Sequence, residues 1–273
     1  MPERTVFLVS DHTGITAGEV ARSLLAHFEE VAFAYRLRPF CDTEAKVRGV
    51  VLEIQEAYRA QGVRPIVFST LTDAGLFALL KAAPALVFDL FRPYLEALEA
   101  ELGVRPNPRV GRVHSVGDLS AYLRRMEAVE FALAADDGLG VERYPEAEAI
   151  LVGVSRVGKT PTSLFLALHY QVRAANYPLA EEDLERADLP KPLRPHRAKL
   201  FGLTIDPFRL HQIRTARKPG SRYASLDQCR QEVARAEALF RAHGLPYLDT
   251  THASVEEIAT AILQRLGLPR GLG

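Results

Sequence analysis

The stretch from residue 149 to residue 168 constrains the fold more than any other part of the chain. An apolar run, Ile150-Leu151-Val152, leads into Gly153-Val154-Ser155-Arg156-Val157-Gly158-Lys159-Thr160, and the apolar residues 164–168 follow. A strand, a turn containing glycines and a helix in this order direct successive backbone N–H groups, and the positive end of the helix, at one point. This arrangement holds an oxyanion, so the stretch predicts a phosphate-binding loop.

The side chains of this 153–160 loop have distinct expected roles. Lys159 is expected to reach the terminal phosphates as a point charge, and the Thr160 hydroxyl to bind a Mg²⁺ ion that bridges phosphate oxygens. Arg156 either steadies the transferring charge or is a solvated loop arginine. The residues predicted to contact the nucleotide are Gly153, Val154, Ser155, Arg156, Val157, Gly158, Lys159 and Thr160. The alternative is an ordinary strand-to-helix turn with a surface lysine.

Two neighbouring carboxylates, Asp136 and Asp137, stand on a turn shortly before the strand that enters the loop. In a doubly wound sheet such a turn reaches the carboxyl edge, where the loop also lies. One carboxylate is expected to bind Mg²⁺ and the other to take a proton from an attacking hydroxyl. The alternative is a polar turn that only ends a helix.

Composition excludes some function classes and leaves others open. The chain of 273 residues carries 34 Lys and Arg against 34 Asp and Glu, so it has no basic footprint for nucleic acid or an anionic membrane. Its two cysteines, Cys41 and Cys229, lack metal-ligand partners at the usual spacing and are expected to be free thiols of a reducing cytosol. The first apolar run is only about five residues long, which predicts no signal peptide and a cytoplasmic protein.

Apolar runs and amphipathic stretches alternate along the whole chain, which predicts an α/β fold of two doubly wound domains with mostly parallel sheets. The prolines of Arg105-Pro106-Asn107-Pro108-Arg109 favour a boundary there, giving domains 1–105 and 106–273. The charged, proline-rich segment 180–197 is interpreted as a mobile surface loop. Strands are predicted at 6–9, 32–37, 65–68, 85–88, 149–154, 200–205 and 247–248, and helices at 18–28, 44–60, 73–81, 94–102, 118–134, 225–243 and 255–266. Ser254 and Glu257 predict a capping box at the last helix.

The turn Ser10-Asp11-His12-Thr13-Gly14-Ile15-Thr16 after the first strand is similar to the 153–160 loop. Both run from a strand through serine, variable residues, glycine, one further residue and threonine into a helix. Ile15 stands where the second turn has Lys159, so the first would be a degenerate copy without the phosphate-reaching cation. Strand–turn–helix units often look alike, and duplication remains one of two interpretations.

Three longer runs extend the pattern of the loop. They are Leu151-Val152-Gly153-Val154-Ser155-Arg156 continuing through Gly158-Lys159-Thr160-Pro161-Thr162-Ser163-Leu164, then Ala174-Ala175-Asn176-Tyr177-Pro178, then Phe201-Gly202-Leu203-Thr204-Ile205-Asp206-Pro207. Together these runs resemble the regulatory proteins of phosphoenolpyruvate synthase and pyruvate, phosphate dikinase. The resemblance extends from Val6 to Ile262. The runs Ser221-Arg222-Tyr223-Ala224-Ser225-Leu226, Cys229-Arg230 and Ser254-Val255-Glu256-Glu257-Ile258-Ala259-Thr260 are more similar to the synthase branch.

The resemblance implies a bifunctional enzyme. Such proteins use ADP to phosphorylate a threonine of the partner enzyme, here phosphoenolpyruvate synthase, and use inorganic phosphate to remove it as pyrophosphate. It implies that the 153–160 loop binds ADP, that Lys159 neutralises the transferring phosphoryl group, and that Asp137 is the base. Asp136 and Thr160 are then left for Mg²⁺. Ala135 stands where the family usually has histidine, which shifts the proton transfer onto Asp137.

Alternative functions are the same chemistry on pyruvate, phosphate dikinase, a kinase of small metabolites, and a nucleotide-sensing module without catalysis. Turnover of free metabolites with ATP would favour the metabolite kinase. Tight ADP binding without transfer to any partner would favour the sensing module. The sequence leaves the oligomeric state open, with a homodimer as one candidate.

Overall fold

The computed structural model describes residues 3–106, 119–186 and 188–268. The chain divides into two compact units, one on each side of the segment 107–118. The boundary predicted at Arg105–Arg109 lies largely outside the described residues, so its position stays a prediction. The two units are considered one at a time.

The first unit is a parallel α/β sheet. Its order is β2-β1-β3-β4, with Val6 of β1 opposite Tyr35 of β2 and Ile66 of β3. Its elements are β1 (Glu3–Val9), α1 (Ile15–Leu25), β2 (Ala32–Arg38), α2 (Glu44–Gln61), β3 (Ile66–Ser69), α3 (Ala74–Lys81), β4 (Leu86–Asp89) and α4 (Arg92–Leu102).

The second unit has a sheet of the same kind, with strand order β6-β5-β7-β8. Its elements are α5 (Leu119–Ala134), β5 (Ala149–Gly153), α6 (Lys159–Tyr170), β6 (Ala174–Pro178), α7 (Glu181–Arg186), β7 (Leu200–Thr204), α8 (Pro207–Arg217), α9 (Leu226–His243), β8 (Tyr247–Asp249) and α10 (Val255–Leu266). The prediction of two doubly wound α/β sheets is confirmed, and both are parallel throughout their described strands.

Both units place their strands in the order second, first, third, fourth, as a duplication would require. In each, the helix after the central strand begins beyond a glycine with positive φ, 77° at Gly14 and 93° at Gly158, and neither glycine provides a side-chain cap. Ile15, in the place of Lys159, is 55% exposed. In the first unit the Asp11 carboxylate also accepts hydrogen bonds from the backbone N and the hydroxyl of Thr72.

β5 forms the centre of the second unit because both faces of its apolar run are covered. Ile150, Leu151 and Val152 are fully buried, as expected for a central parallel strand with helices on both sides. At the end of this strand, a Cβ added to Gly153 would lie 2.4 Å from the backbone oxygen of Leu203 on β7. Glycine therefore lets the carboxyl ends of β5 and β7 come close together.

The segment 180–197 differs from the prediction of a mobile loop. It contains α7 and the start of a 3₁₀ segment, Lys191–Lys199, in which prolines fit. Leu184, Leu189 and Leu193 are buried in the core of the second unit. The prolines and charged residues stand between these leucines. Burial of the leucines gives the segment a fixed structure although its composition is typical of a loop.

Other local predictions have mixed outcomes. Helix α8 was not predicted, although Asp206 caps it and Pro207 is its first residue, which is a helix-start signal. Helix α1 begins three residues earlier than predicted. Cys41 and Cys229 are buried free thiols, as predicted, and no helix among the described residues is long and apolar enough to cross a membrane.

The capping box at α10 is confirmed and gives the first prediction. Ser254 Oγ accepts from the backbone N of Glu257, whose carboxylate accepts from the backbone N of Ser254. Ser254→Ala should lower the free energy of unfolding by about 1 kcal/mol because a helix N–H loses its partner. Chemical denaturation measures this change. Thr260→Ala, on the exposed face of the same helix, should change stability by less than about 0.5 kcal/mol; equal losses in the two variants would contradict the capping role.

Candidate active site

The 153–160 loop connects the end of β5 to the start of α6. The Lys159 ammonium lies inside the loop and donates to the backbone oxygens of Gly153 and Val154, at 3.0 Å each. An ammonium has three hydrogens, so it can also hold an oxyanion while both of these bonds persist. The lysine thus organises the loop from within and places a cation at the start of the helix.

Burial changes the acidity of this lysine. Lys159 is only 6% exposed, and desolvation lowers the pKa of its ammonium to about 8 from the usual 10.5. The nearby carboxylates of Asp137 and Asp136 act in the opposite direction and raise the pKa, whereas the positive charges of Arg214 and Arg156 lower it further. A bound anion would add to the effect of the carboxylates, because it favours the charged form.

Asp136 and Asp137 lie directly opposite the loop, on the turn that follows α5. The Thr160 hydroxyl donates to Asp136 Oδ1 at 2.9 Å, so the first carboxylate touches the first turn of α6. Asp137 is exposed and has a φ of 54°, a left-handed conformation that is uncommon for residues other than glycine. The turn therefore presents one carboxylate to Thr160 and the next to the open side.

Asn176 of β6 holds this turn in place and is fully buried. Its side chain donates to Asp136 Oδ1 and accepts from the backbone N of Asp137 at 2.9 Å. Its backbone N donates to Ala135 O at 3.1 Å, and its backbone oxygen accepts from Gly138 N at 3.0 Å. One buried amide residue thus contacts four successive residues of the turn, which compensates the strain at Asp137.

Arg214 of α8 holds the loop from the other side. Its side chain is fully buried, its guanidinium donates to Ser155 O at 3.1 Å, and it pairs with Glu232 of α9 at 2.6 Å. The same group lies over the ring of Tyr223 with 4.0 Å to the centroid, and the Tyr223 hydroxyl donates to Ser155 Oγ at 3.0 Å. Thr250 Oγ1, after β8, lies 3.1 Å from Val157 O.

A cavity of about 540 Å³ lies between the 153–160 loop and the turn that carries the two carboxylates. It is lined by Asp136, Asp137, Ser155, Arg156, Gly158, Lys159, Thr160 and Pro161. Of the predicted site residues, the remaining three lie beneath the surface: Gly153, Val154 and Val157 are buried. Ala135 is fully buried in the core, and its methyl side chain cannot transfer a proton.

The cavity has one side suited to an anion and one suited to a cation. The ammonium of Lys159 and the N-terminus of α6 favour a phosphate, while Asp136 and Thr160 offer adjacent hard oxygens of the kind Mg²⁺ prefers. Asp137 can exchange a proton with a substrate hydroxyl that lies between these two sides of the cavity. The predicted residues therefore come together in space, whereas Asn176 and Arg214, which hold them, had no role in the sequence-based prediction.

Comparison with known proteins gives the family. The family model described as kinase/pyrophosphorylase matches residues 6–263. The chain belongs to this family. A relative from Deinococcus radiodurans is 56% identical over 263 residues, which cover 96% of this chain and 95% of the relative. Relatives from Pseudomonas aeruginosa and Burkholderia thailandensis are each 50% identical, over 98% and 97% of this chain and 98% of their own lengths. All three carry the name "putative phosphoenolpyruvate synthase regulatory protein".

Membership of this family supports a kinase or phosphotransferase role for the chain. The cavity beside the loop brings together a cation at a helix N-terminus, two carboxylates and a hydroxyl, which are groups that a phosphoryl transfer uses. The printed names of the relatives concern those proteins, and what they imply for this chain is taken up below.

The depressed pKa of Lys159 gives the second prediction. In NMR spectra of protein with isotopically labelled lysine, the Lys159 side chain should titrate near pH 8, well below the 10.5 that is usual for a lysine ammonium. The assignment is made by loss of the signal in Lys159→Met. A midpoint for Lys159 at or above pH 10 would contradict the buried position of the ammonium.

The buried Arg214–Glu232 pair gives the third prediction, by a double-mutant cycle. Arg214→Ala and Glu232→Ala should each lower the free energy of unfolding by about 3–5 kcal/mol, because each leaves a buried charge without its partner. The double variant should lose less than the sum of the two. The exposed pair Glu44–Arg48 is the control and should show a coupling of about 0.5 kcal/mol or less. Additive losses at Arg214 and Glu232 would contradict a functional ion pair.

Proposed function

We propose that this protein is a bifunctional serine/threonine kinase and pyrophosphorylase that regulates phosphoenolpyruvate synthase. In one direction it transfers a phosphoryl group from ADP to a threonine of the synthase, which inactivates it. In the other it uses inorganic phosphate to remove the group as pyrophosphate, which reactivates it. The family and the names of the relatives support this proposal. Its main structural support is the cavity in which Asp136 and Asp137 face Lys159.

In the forward direction, the threonine hydroxyl oxygen attacks the β-phosphorus of ADP. The new O–P bond forms on threonine, the bond from the β-phosphorus to the bridging oxygen breaks, and AMP leaves. Asp137, exposed at the mouth of the cavity, accepts the hydroxyl proton. Lys159 and the N–H groups of the loop stabilise the charge on the transferring group, and Arg156, exposed beside them, adds a further cation.

In the reverse direction, an oxygen of inorganic phosphate attacks the phosphorus of phosphothreonine. A P–O–P bond forms, the bond to the threonine oxygen breaks, and that oxygen takes a proton from the carboxyl group of Asp137. The attacking phosphate occupies the place that the α-phosphate of ADP has in the forward direction. One cavity therefore serves both reactions, because the transferred phosphoryl group has the same position in each.

Magnesium fits the oxygen donors that the cavity offers. Among the described residues no group of three or more His, Cys, Asp or Glu side chains is arranged to hold a metal ion. Mg²⁺ in phosphoryl-transfer sites commonly needs only one or two protein oxygens and takes the others from phosphates and water. Asp136 and Thr160, 2.9 Å apart through Oδ1 and Oγ1, would hold it, and it would neutralise charge on the phosphate oxygens.

The fourth prediction tests the shared cavity with purified phosphoenolpyruvate synthase, ADP labelled in the β-phosphate, and then unlabelled phosphate. Lys159→Ala should lower both the labelling rate and the phosphate-dependent release by at least about a hundredfold, because the same charge acts on the transferring group in both. Lys46→Ala, an exposed lysine of the first unit, is the control and should retain both activities. If Lys159→Ala formed labelled pyrophosphate from the phosphorylated synthase at a near-normal rate, the two reactions would not share the site.

The fifth prediction separates the two carboxylates. Asp137→Asn keeps the shape of the side chain and removes its basicity, so both rates should fall by about a hundredfold to ten-thousandfold while ADP still binds. Asp136→Asn should instead raise the Mg²⁺ concentration needed for half-maximal rate. The exposed Asp227→Asn on α9 is the control. Normal transfer by Asp137→Asn would place the base elsewhere, with Asp136 the next residue to test.

A further inference from the structure

A second cavity lies beyond the carboxyl ends of β7 and β8, which follow β5 on one side of the sheet. The strand order reverses between β5 and β7, and in open parallel sheets ligands bind outside the carboxyl ends of the strands near such a point. The residues that follow β7 and β8 line a groove of about 630 Å³, a size typical of small-molecule sites. The groove is lined by Asp206, Phe208, Arg209, Gln212, Asp249, Thr251 and His252.

The groove is joined to the loop through Thr250. The Oγ1 atom of Thr250 lies 3.1 Å from Val157 O, in the middle of the loop. Its chain neighbours, Asp249 and Thr251, both line the groove, and consecutive Cα atoms are about 3.8 Å apart. The wall of the groove therefore begins one residue from the phosphate-binding backbone, within reach of a ligand whose phosphates occupy the loop.

The charges of the two cavities are complementary to the two ends of a nucleotide. In the cavity beside the loop, Lys159 and Arg156 balance the carboxylates of the 136–137 turn and the N-terminus of α6 adds positive charge. In the groove, the carboxylates of Asp206 and Asp249 outnumber the guanidinium of Arg209. Carboxylates repel a phosphate but accept hydrogen bonds from sugar hydroxyls and from the amino group of a base. The anionic end of a nucleotide is thus favoured at the loop and the uncharged end in the groove.

The groove also has an aromatic surface. Phe208, in the first turn of α8, is 58% exposed, so its ring is accessible to a ligand in the groove. Gln212 lies four residues further on the same helix face, so ring and amide are neighbours. A ring for stacking beside an amide for hydrogen bonding is a combination that recognises a flat heterocyclic base.

Asp249 and Thr251 are held rigidly. Asp249 Oδ1 accepts from the backbone N of Thr251 at 2.8 Å and from its hydroxyl, and Thr251 Oγ1 accepts from the backbone N of Asp206 at 2.8 Å. These bonds connect the segment after β8 to the segment after β7. The second carboxylate oxygens of Asp249 and Asp206 can each accept a hydrogen bond from a hydroxyl group of a ligand.

We propose that this groove binds the nucleoside part of the ADP used by the enzyme, with the base stacked on Phe208 and bonded to Gln212, and the ribose at Asp249. The inference rests on the proposed function, because it takes ADP as the phosphoryl donor. It also explains why ADP would bind more tightly than pyrophosphate. Both ligands place phosphates in the loop, but only ADP has a nucleoside that the groove can bind.

Calorimetric titration of the full chain with ADP and with pyrophosphate, both in the presence of Mg²⁺, tests this proposal. The wild-type protein should bind ADP at least tenfold more tightly than pyrophosphate. Phe208→Ala should weaken ADP binding by about tenfold to a hundredfold, as loss of a stacked ring does, and change pyrophosphate binding by less than twofold. Gln212→Ala should weaken ADP binding by about threefold to tenfold. Phe28→Ala, which removes a ring of equal exposure in the first unit, is the control.

Three other outcomes have different meanings. If Phe208→Ala and Gln212→Ala bind ADP as the wild type does, the groove is not the nucleoside site, while the proposed function stands. If Phe208→Ala weakens ADP and pyrophosphate equally, the ring acts on the loop, and the inference is again wrong. If the wild-type protein binds neither ligand at millimolar concentration, the proposed function fails together with the inference.

Discussion

The arrangement of the site depends on the buried side chain of Asn176. Its amide bonds to the Asp136 carboxylate and to the backbone of Asp137 from the middle of β6, the strand beside the one that enters the 153–160 loop. Parallel pairing of β5 and β6 brings their carboxyl ends to the same edge, so the turn and the loop must face each other. Without the hydrogen bonds of Asn176, nothing would offset the strain of the left-handed backbone at Asp137. The two carboxylates would then lose their fixed position opposite Lys159.

A second constraint acts through the buried arginine. Arg214 holds the loop at the backbone oxygen of Ser155, and Glu232 balances its charge. Two buried cations therefore hold the loop. Lys159 belongs to the loop, and Arg214 contacts it from outside. Arg214 lowers the pKa of Lys159 and so adds to the effect of desolvation. Positive charge in a place of low dielectric favours an anion, which is what the proposed function requires of this loop.

Features that depend on neighbouring residues could be predicted from the sequence, whereas contacts between residues far apart in the chain could not. The apolar run 150–152, the two glycines and the helix after Lys159 predict their own structure, because strand burial and helix start are properties of neighbouring residues. Asn176 and Arg214 contact residues about 40 and 59 positions away, which no periodicity reveals. A polar residue within the run Ala174-Ala175-Asn176 was the only signal for the first. The prolines of segment 180–197 predicted a loop because composition does not show that its leucines reach the core.

A single phosphate site that serves both directions requires that ADP and inorganic phosphate compete for it, and a binding measurement can detect this competition. Inorganic phosphate is titrated calorimetrically into the protein alone and into the protein saturated with ADP, at the same Mg²⁺ concentration. With one shared site, the apparent Kd for phosphate should rise in proportion to the ADP concentration, until phosphate binding is no longer detected at a large excess of ADP. Unchanged phosphate binding to the ADP-saturated protein, with one of each ligand bound, would contradict it.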